Sequence, residues 1–403
     1  MKRILFLTNA TGIGGSEKVL NTILEKINKK KYEVSLFSVT DNYEERFRIS
    51  GINLVKRPFQ YGKSVLGLKE GVLFGCRNRD ISFVISAINY WLSCYLHKNT
   101  QSLVDWWNAY EQTFPAITTE YDIAIAFGAG MVVPVTLNKI KAKKKIAWVN
   151  FDIKKLFEES TQDTKKFYLD MYAKFNEIVT VTEANNASFL QVFNANECIN
   201  KIRIIPDIID ITQMSQLAQK EIPAEFNDKC NILTVGRLSP EKGYDLLIDA
   251  AKILLQRNRE FKWFIIGNGD KKPYLRKIFK NRLEERVILL GEKRNPYPYF
   301  KNCDIYVQTS LHEGNCLTLL EAMVFGRACV TTNFPTGIEK IEDQKSGLVV
   351  DMDASSIADG VDVLIRNADG IRKIYGENAR RKIQTMNNGL ERIYELFDSS
   401  ESG

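Results

Sequence analysis

The sequence predicts an α/β protein built on two parallel sheets. Short apolar runs rich in β-branched residues alternate with longer helical patterns through most of the 403 residues, and this alternation is typical of parallel α/β layering. The chain is also longer than one core usually supports, so two domains of about 200 residues each are expected. A hydrophobic content of 44% fits a globular protein of this kind.

The strand candidates form two separate series. The first series lies at residues 4–7, 34–37, 123–127, 146–149 and 178–181. The second series begins afresh at residues 232–235 and continues at 263–266, 287–290, 305–307, 328–331 and 348–350. Each series, with helical patterns between its strands, predicts one Rossmann-like domain.

The domain boundaries follow from the gap between the two series. Residues 1–206 form the predicted N-terminal domain, and residues 207–230 form a linker because they have a polar tail and no clear strand pattern. Residues 231–375 form the second domain. The helical stretch at residues 376–403 follows the last strand and is free to cross back to the first domain.

Composition narrows the classes of function. The 56 Lys and Arg against 49 Asp and Glu give a net charge of +7, which favours anionic ligands or an anionic membrane surface but is too dilute for a nucleic-acid binder. Seven scattered cysteines without a C-x-x-C pair predict a reducing, cytoplasmic location and no zinc ribbon. The apolar run in the first residues, MKRILFLT, is too short for the core of a signal peptide. The sequence contains no run of 18 apolar residues, so a membrane-spanning helix is not expected.

Residues 63–117 fit the alternation poorly. They combine aromatic and basic side chains, which suits a peripheral contact with the inner face of a membrane. The alternative is a set of helices that pack on their own sheet, which is what most amphipathic helices do. The side chains in question are Phe83, Tyr90, Trp91, Tyr95, Trp106, Trp107 and Tyr110, with Lys63, Lys69, Arg77 and Arg79.

The most informative segment is EGNCLTLLEA, residues 313–322. Glu313 precedes a turn, at which Gly314 and Asn315 bend the backbone, and Glu321 lies inside the helix that follows. The first N–H groups of that helix have no helical partners and lie at the positive end of its dipole, so they suit a phosphate.

This arrangement predicts three subsites for one extended ligand. Thr318 and Glu321 are three residues apart and share a helical face, about 5 Å apart along the axis. A polyol would bind at Glu313, a diphosphate at the helix start, and a second sugar at Glu321.

A second motif, VGRLSPEKG at residues 235–243, follows the first strand of the second series. Arg237 at the strand end and Lys242 at the next helix start would converge on a diphosphate and stabilise it as a leaving group without a metal. Both motifs lie at the carboxyl ends of strands in one predicted sheet, the edge where α/β proteins bind ligands.

The segment ATGIGGSEKVL follows the first strand of the chain. Gly12, Gly14 and Gly15 form a flexible turn, and Ser16 is the predicted cap of the next helix. Glu17 stands where a dinucleotide fingerprint would have its third glycine, so NAD binding is not expected.

Together these motifs resemble a known family. Residues 313–321 resemble the E-x7-E signature of the large retaining, nucleotide-sugar-dependent glycosyltransferase family usually called family 4. The positions that fall where that signature has them are Ser310, Glu313, Gly314, Leu317, Leu320, Glu321, Ala322, Met323 and Gly326. The resemblance implies the GT-B fold, in which two Rossmann-like domains face each other across a cleft.

The resemblance also implies roles for individual residues. Arg237, Lys242 and Glu313 would be the catalytic groups, with Glu313 on the hydroxyls of the donor sugar and Glu321 on the ribose. The G-G-x-E entry loop would approach the donor, and the backbone near Arg294 and Asn295 would hold the base. The full set of donor-binding residues is Gly14, Gly15, Asn150, Asn268, Arg294, Asn295, Gly314, Asn315, Cys316, Leu317, Thr318 and Glu321.

The implied reaction needs no metal and no cofactor. A nucleotide diphosphate sugar, expected to be a UDP-sugar, would donate to a glycan or lipid-linked glycan acceptor in bacterial surface polysaccharide synthesis. The D-x-D of Asp351 and Asp353 imitates a metal motif, but it leads into a helix that Asp353 would cap.

Two positions depart from the family pattern. Asn150 stands after the strand at 146–149, where many members carry a histidine, and an amide cannot titrate. Asp207 stands where asparagine is frequent.

Two other functions stay open from the sequence. A non-catalytic partner would bind a glycan or nucleotide sugar for another transferase, and Asn150 favours it slightly. The second alternative is an enzyme of the same fold that catalyses a different reaction, either epimerisation or phosphorolysis. The donor sugar and the acceptor are not encoded in any motif.

Overall fold

The computed structural model describes residues 1–9, 14–39, 49–55, 68–77, 79–96, 103–113, 116–219, 226 and 230–399. The chain forms two compact units. Unit 1 comprises Met1–Ile205 together with Gly389–Gly403, and unit 2 comprises Pro206–Asn388. Each unit is built on one parallel sheet with helices between its strands.

The strands follow in chain order. They are β1 (Lys2–Thr8), β2 (Tyr32–Ser38), β3 (Ile52–Leu54), β4 (Ile117–Phe127), β5 (Ile140–Val149), β6 (Glu177–Thr180), β7 (Ile202–Ile204), β8 (Cys230–Val235), β9 (Phe261–Ile266), β10 (Val287–Gly291), β11 (Ile305–Gln308), β12 (Ala328–Thr332) and β13 (Gly347–Val350).

The helices lie between and after these strands. They are α1 (Gly15–Lys26), α2 (Leu68–Arg77), α3 (Ile81–Leu96), α4 (Leu103–Tyr110), α5 (Val132–Lys139), α6 (Ile153–Leu156), α7 (Gln162–Tyr172), α8 (Glu183–Phe193), α9 (Ile211–Leu217), α10 (Tyr244–Gln256), α11 (Lys272–Lys280), α12 (Tyr297–Asn302), α13 (Leu317–Val324), α14 (Pro335–Lys340), α15 (Ala354–Arg366), α16 (Ile371–Met386) and α17 (Gly389–Asp398).

The sheet of unit 1 has the order β3-β2-β1-β4-β5-β6-β7. All of its pairings are parallel. The five strands predicted from apolar runs are confirmed. The sequence analysis missed β3 and β7, because each is an edge strand of three residues that are partly exposed and carry no continuous apolar run.

The sheet of unit 2 has the order β10-β9-β8-β11-β12-β13, again with parallel pairing, and all six predicted strands are confirmed. Successive residues of each strand enter different cores. Ile232 packs in the core with α10, α11 and α15, whereas Leu233 packs in the core with α12, α13 and α16. Burial on both faces explains why these strands read as uninterrupted apolar runs.

The helices of residues 68–113 pack on unit 1, and most of the aromatic side chains that suggested a membrane contact are in its core. Trp91 is different, since it is partly exposed on α3. Lys63 lies outside the described residues, and so does the side chain of Tyr95. The buried aromatic residues are Phe83, Tyr90, Trp106, Trp107 and Tyr110.

The end of the chain is divided between the units. Helix α9, within the segment predicted as a linker, belongs to unit 2, and so does α16. Helix α17 belongs to unit 1, where the ring of Phe397 lies 6.5 Å from that of Phe6 and Lys144 Nζ donates to the carbonyl of Leu396 at 3.0 Å. No helix in the described part of the chain has the length and apolar character needed to cross a membrane.

Candidate active site at the carboxyl edge of the second sheet

The site is centred on two residues from neighbouring strands of unit 2. Lys242 follows β8 and Glu313 follows β11, and these strands are adjacent in the sheet. The chain proceeds outward from β8 through β9 to β10 and then returns to β11 on the other side. The gap between β8 and β11 is therefore the topological switch point, where parallel α/β sheets bind their ligands.

The carboxylate of Glu313 is held by three donors on one oxygen. Its Oε1 accepts from Lys242 Nζ at 2.5 Å, from Ser310 Oγ at 2.7 Å and from Gln308 Nε2 at 2.9 Å. The side chains of Lys242 and Glu313 are largely buried. A carboxylate fixed in this way keeps one orientation.

Gln308 organises the groups behind Glu313. It is buried at the end of β11, where its amide donates to Ser310 Oγ at 2.7 Å and to Glu313. Its Oε1 accepts from the hydroxyl of Tyr306 at 2.6 Å and from that of Thr318 at 3.1 Å. All four hydrogen bonds that the Gln308 amide can make are formed, which makes this network rigid.

A glycine allows Lys242 to approach β11. Gly243 has φ +67°, and a Cβ there would lie 2.0 Å from the carbonyl oxygen of Thr309. The hydroxyl of Thr309 donates to the carbonyl of Lys242 at 2.8 Å. Only a residue without a side chain permits this contact, which places Lys242 next to Glu313.

Arg237 is the second cation of this edge. It lies two residues after the end of β8, its side chain is exposed, and it pairs with Glu241 Oε1 at 3.3 Å. The loop that carries it is tied to the loop after β9, since the N–H of Leu238 donates to the carbonyl of Asn268 at 2.7 Å. The backbone position of Arg237 is thus fixed while its guanidinium stays accessible.

Helix α13 begins next to Glu313 at a residue with unusual backbone geometry. Cys316 is the N-cap with φ +56° and ψ +52°, the left-handed region that a residue with a side chain seldom adopts. No side chain caps this helix start. Burial raises the pKa of the Cys316 thiol well above its usual range, so the thiol is neutral and only the backbone at this position suits an anion.

The side chain of Asn315 is hydrogen-bonded to a buried carboxyl group, that of Asp207. Its Nδ2 donates to Asp207 Oδ2 at 2.6 Å, and both side chains are buried. Burial raises the pKa of the Asp207 carboxyl to about 6, against the opposing effects of the Asn315 hydrogen bond and of Lys340. Burial also lowers the pKa of Lys340. Asp207 therefore supports the loop between Glu313 and α13.

The remaining residues predicted on this segment lie along α13 and the turn before it. Glu321 is buried in the middle of the helix, and the hydroxyl of Thr318 is directed to Gln308. Gly314 and Leu317 are half-buried at the turn and the first helical position. Sequence and structure thus agree on a turn followed by a helix, and the structure adds that the side chains of Thr318 and Asn315 have partners within the protein.

Three predicted residues follow the outer strands of the same sheet. Asn268 is exposed after β9 and its Nδ2 donates to Glu292 Oε2 at 3.1 Å. Arg294 is exposed after β10, whereas the amide of the next residue, Asn295, donates to the carbonyl of Leu217 at 2.9 Å. The side chain of Asn295 therefore braces its loop.

In unit 1, the predicted residues follow β1 and β5. Gly14 is the N-cap of α1 and its N–H donates to Glu17 Oε2 at 3.0 Å, while Gly15 is exposed in the first turn. The prediction that Ser16 caps this helix is wrong, because the helix begins one residue earlier, at Gly15. The side chain of Glu17 reaches back to accept from the N–H of the N-cap residue. Gly12 lies outside the described residues.

Asn150 directly follows β5 in unit 1. Its side chain is buried, and its Nδ2 has no hydrogen-bond partner among the residues that the structure describes. A buried donor without a partner is rare, and a bound ligand is one of the groups that can satisfy it.

The D-x-D sequence consists of Asp351 and Asp353, and the predicted role of Asp353 as a helix cap is confirmed. Asp353 caps α15 by accepting from the N–H of Ser356 at 2.9 Å. Asp351 accepts from Asn333 Nδ2 at 2.8 Å. Across the described residues, no group of three or more His, Cys, Asp or Glu side chains could hold a metal ion.

Sequence reasoning missed Gln308 as part of the site. A signal was present, because the apolar run of β11 ends in the three polar residues Gln308, Thr309 and Ser310, all of which are buried. Polar side chains at the carboxyl end of a buried strand indicate a hydrogen-bond network or a ligand site.

Residues 215–382 match the family model described as Glycosyl transferases group 1. This segment contains every site residue of unit 2 discussed above except Asp207. The chain is 27% identical over 256 residues to the poly(ribitol-phosphate) alpha-N-acetylglucosaminyltransferase of Staphylococcus aureus (strain COL), which covers 62% of this chain and 48% of that protein.

A second relative comes from Campylobacter jejuni. It is the N-acetylgalactosamine-N,N'-diacetylbacillosaminyl-diphospho-undecaprenol 4-alpha-N-acetylgalactosaminyltransferase, which is 31% identical over 221 residues, 54% of this chain and 58% of that protein. The matches to these two curated relatives thus span about half of their length.

Solved structures extend the likeness to the whole chain. The crystal structure of HepE from Anabaena in complex with UDP and glucose aligns with a TM-score of 0.68 at 16% identity, covering 99% of this chain and 100% of that one. The fold is therefore that of the GT-B glycosyltransferases, as the sequence predicted.

Proposed function

We propose that this protein is a retaining glycosyltransferase that uses a nucleotide diphosphate sugar, specifically a UDP-sugar, and needs no metal ion. The observation that carries the proposal is the Lys242–Glu313 pair at the switch point, beside the uncapped start of α13. The pair puts a cation for the diphosphate and a carboxylate for the sugar hydroxyls within hydrogen-bonding distance of each other.

The cations of this edge would stabilise the leaving group. When the bond from the anomeric carbon to the β-phosphate oxygen breaks, its electron pair goes to the diphosphate. Arg237, Lys242 and the N–H groups at the start of α13 would stabilise that charge in place of a metal. Binding of the diphosphate would draw Lys242 from Glu313, to which it is bonded in this structure.

Glu313 would hold the donor sugar rather than attack it. Its Oε1 has three donors from the protein, so the carboxylate is oriented for hydroxyl binding through Oε2. The acceptor hydroxyl would approach the face that the diphosphate leaves, and its proton would go to the departing phosphate oxygen. This sequence of bonds retains the anomeric configuration, and Glu321 would bind the ribose.

The acceptor is proposed to be a glycan or a lipid-linked glycan in bacterial surface polysaccharide synthesis. The names of the two bacterial relatives support this class, since one acts on poly(ribitol-phosphate) and the other on a diphospho-undecaprenol. The UDP and glucose in the HepE crystal support the donor class. The particular sugar and acceptor depend on pocket shape, which no motif encodes.

The test combines donor binding with product stereochemistry. UDP-, GDP-, ADP- and TDP-sugars are compared by thermal shift, and transfer or hydrolysis is then followed by the anomeric proton signal in EDTA. We expect a UDP-sugar to raise the melting temperature most and the product to keep the donor configuration. Binding without turnover across many acceptors would support the non-catalytic partner instead, and inversion or loss of turnover in EDTA would contradict the mechanism.

A further inference from the structure

Three buried polar side chains of unit 2 lie near the start of α13. Asp207 and Asn315 are exposed by only 6% and 7%, and Lys340, the last residue of α14, is exposed by 2%. Asn315 Nδ2 donates to Asp207 Oδ2 at 2.6 Å, and Lys340 acts on the same carboxyl through its charge. The proposed catalytic step uses neither Asp207 nor Lys340. Burying an acid and a lysine is costly, so this group needs an explanation of its own.

The contact between Asp207 and Asn315 leaves one oxygen on each side chain without a partner. Asp207 Oδ1 and Asn315 Oδ1 are both buried, and neither has a hydrogen-bond partner among the residues that the structure describes. Both atoms are acceptors when the carboxyl is ionised, so they cannot bond to each other. The ionised pair therefore lacks one donor.

A proton on Asp207 Oδ1 supplies that donor. A protonated carboxyl has one O–H and keeps an acceptor oxygen. Oδ2 can then still accept from Asn315 Nδ2 while Oδ1 donates to Asn315 Oδ1, which joins the two side chains in a ring of two hydrogen bonds. An asparagine at position 207 would form the same ring, with its NH₂ group in place of the O–H.

The charges around Asp207 set which form is present. Burial raises the pKa of this carboxyl to about 6, and Lys340 opposes that effect. Lys340 also acts on the thiol of Cys316, and the charged groups that act on Lys340 itself include Glu339 beside it and Lys382 on α16. At neutral pH the Asp207 carboxyl is therefore mostly ionised, but a modest change in the charge nearby protonates it.

A bound diphosphate is such a change. Asn315 immediately precedes Cys316, the N-cap of α13, where the free N–H groups suit an anion. An anion at this position brings negative charge close to the Asp207 carboxylate, and a like charge favours the protonated form of an acid. We propose that Asp207 takes up a proton from solvent when the diphosphate of the donor binds at the start of α13, and that this proton joins Asp207 Oδ1 to Asn315 Oδ1.

Asp207 is thus a positioning residue that acts through Asn315. In the protonated form both polar atoms of the Asn315 side chain are paired, which fixes the loop between Glu313 and α13 while the diphosphate is bound. Because the bound form holds more protons than the free form, affinity for the donor falls as pH rises. This inference rests on the proposed function, since it requires a diphosphate at the start of α13.

The experiment is titration calorimetry of the full chain with UDP-glucose and with UDP-N-acetylglucosamine, whose diphosphate diesters keep their charge between pH 6 and 8. Binding at pH 7 is measured in phosphate and in Tris buffer. These buffers differ in ionisation enthalpy, so the difference in heat gives the number of protons taken up. We expect uptake of about 0.4 to 0.9 proton, and a dissociation constant that rises about five- to fiftyfold between pH 6 and pH 8.

Asp207→Asn tests the residue directly. Asparagine forms the ring without a proton, so uptake should fall close to zero and the dissociation constant should change by less than about twofold over the same pH range. Asp210→Asn is the matched control, because Asp210 is a nearby aspartate that caps α9, and it should keep the wild-type uptake. His312→Asn should also keep it, although a histidine titrates in this pH range.

Several results would overturn this inference and leave the proposed function in place. They are binding without proton uptake in the wild type, equal uptake in Asp207→Asn, and loss of uptake in His312→Asn alone. Failure of both UDP-sugars to bind at any pH would instead overturn the proposed donor site, and this inference with it. Should Asp207→Asn fail to fold, Asn315→Ala removes the acceptor of the proton and should reduce uptake at least about twofold. Unchanged uptake in that variant would equally contradict the proposal.

Discussion

Lys242 and Glu313 are 71 residues apart in the chain, yet Lys242 Nζ lies 2.5 Å from Glu313 Oε1. The contact joins the loops after the adjacent parallel strands β8 and β11. This is the point in the sheet at which the strand order reverses. In this structure, Lys242, which would bind a diphosphate, and Glu313, which would bind sugar hydroxyls, are thus hydrogen-bonded to each other.

Glu313→Gln should lower the transfer rate by about two to three decades, which corresponds to about 2–4 kcal/mol of barrier. Glutamine keeps the shape and the acceptor oxygen for Ser310 but removes the charge. Rate is measured with saturating donor, and Glu284→Gln on an exposed carboxylate is the control. Wild-type turnover in Glu313→Gln would refute the role assigned to this residue.

Arg237→Ala should lower kcat/KM for the donor by about two to three decades and leave the melting temperature nearly unchanged. The Arg237 side chain is 77% exposed, and exposed ion pairs such as that with Glu241 contribute about 0–1 kcal/mol to stability. Arg257→Ala removes another arginine that pairs with a carboxylate, Asp359, and should not change the rate. Equal rate losses in both variants would show that the effect is not specific to this edge.

Gly243→Ala should destabilise unit 2 by more than about 3 kcal/mol, because the new Cβ would lie 2.0 Å from the Thr309 carbonyl at a residue with φ +67°. Gly128→Ala separates strain from collision, since Gly128 has φ +114° but a Cβ there meets nothing within 4 Å. It should cost only about 1–2 kcal/mol. Denaturant unfolding measures the free energy of unfolding of both variants. Similar losses of stability in the two variants would mean that residue 243 does not lie as close to the Thr309 carbonyl as this structure shows.

Asp207→Asn should change how stability depends on pH. Burial raises the folded-state pKa of this carboxyl to about 6 from an ordinary 3.8, so the folded protein binds more protons than the unfolded chain between these values. This contribution to stability is full below about pH 4 and is lost as pH rises through 6, about 3 kcal/mol in all. The variant should lack that loss, which melting temperatures between pH 4 and 8 would detect.

A matched variant keeps this measurement specific. Asp210→Asn changes a nearby aspartate that caps α9 by accepting from the N–H of Gln213 at 3.0 Å. It should change stability by less than about 0.5 kcal/mol, because asparagine caps a helix about as well as aspartate, and it should leave the decline between pH 4 and 6 in place. A wild-type profile that is flat over this range would contradict the buried ionisation of Asp207.

The sequence by itself was enough to locate eleven strands, because strands buried on both faces read as continuous apolar runs. The short edge strands β3 and β7 have no such signal. Local chemistry also sufficed for the turn and helix at residues 313–322 and for the cap at Asp353, since these depend on neighbours in the chain.

Tertiary structure alone decided which of these groups meet. Sheet order puts Lys242 beside Glu313, the packing of two strands puts Gly243 against Thr309, and a buried loop puts Asp207 under Asn315. Residues distant in the chain become partners through strand order and register, and neither quantity can be computed from local spacing.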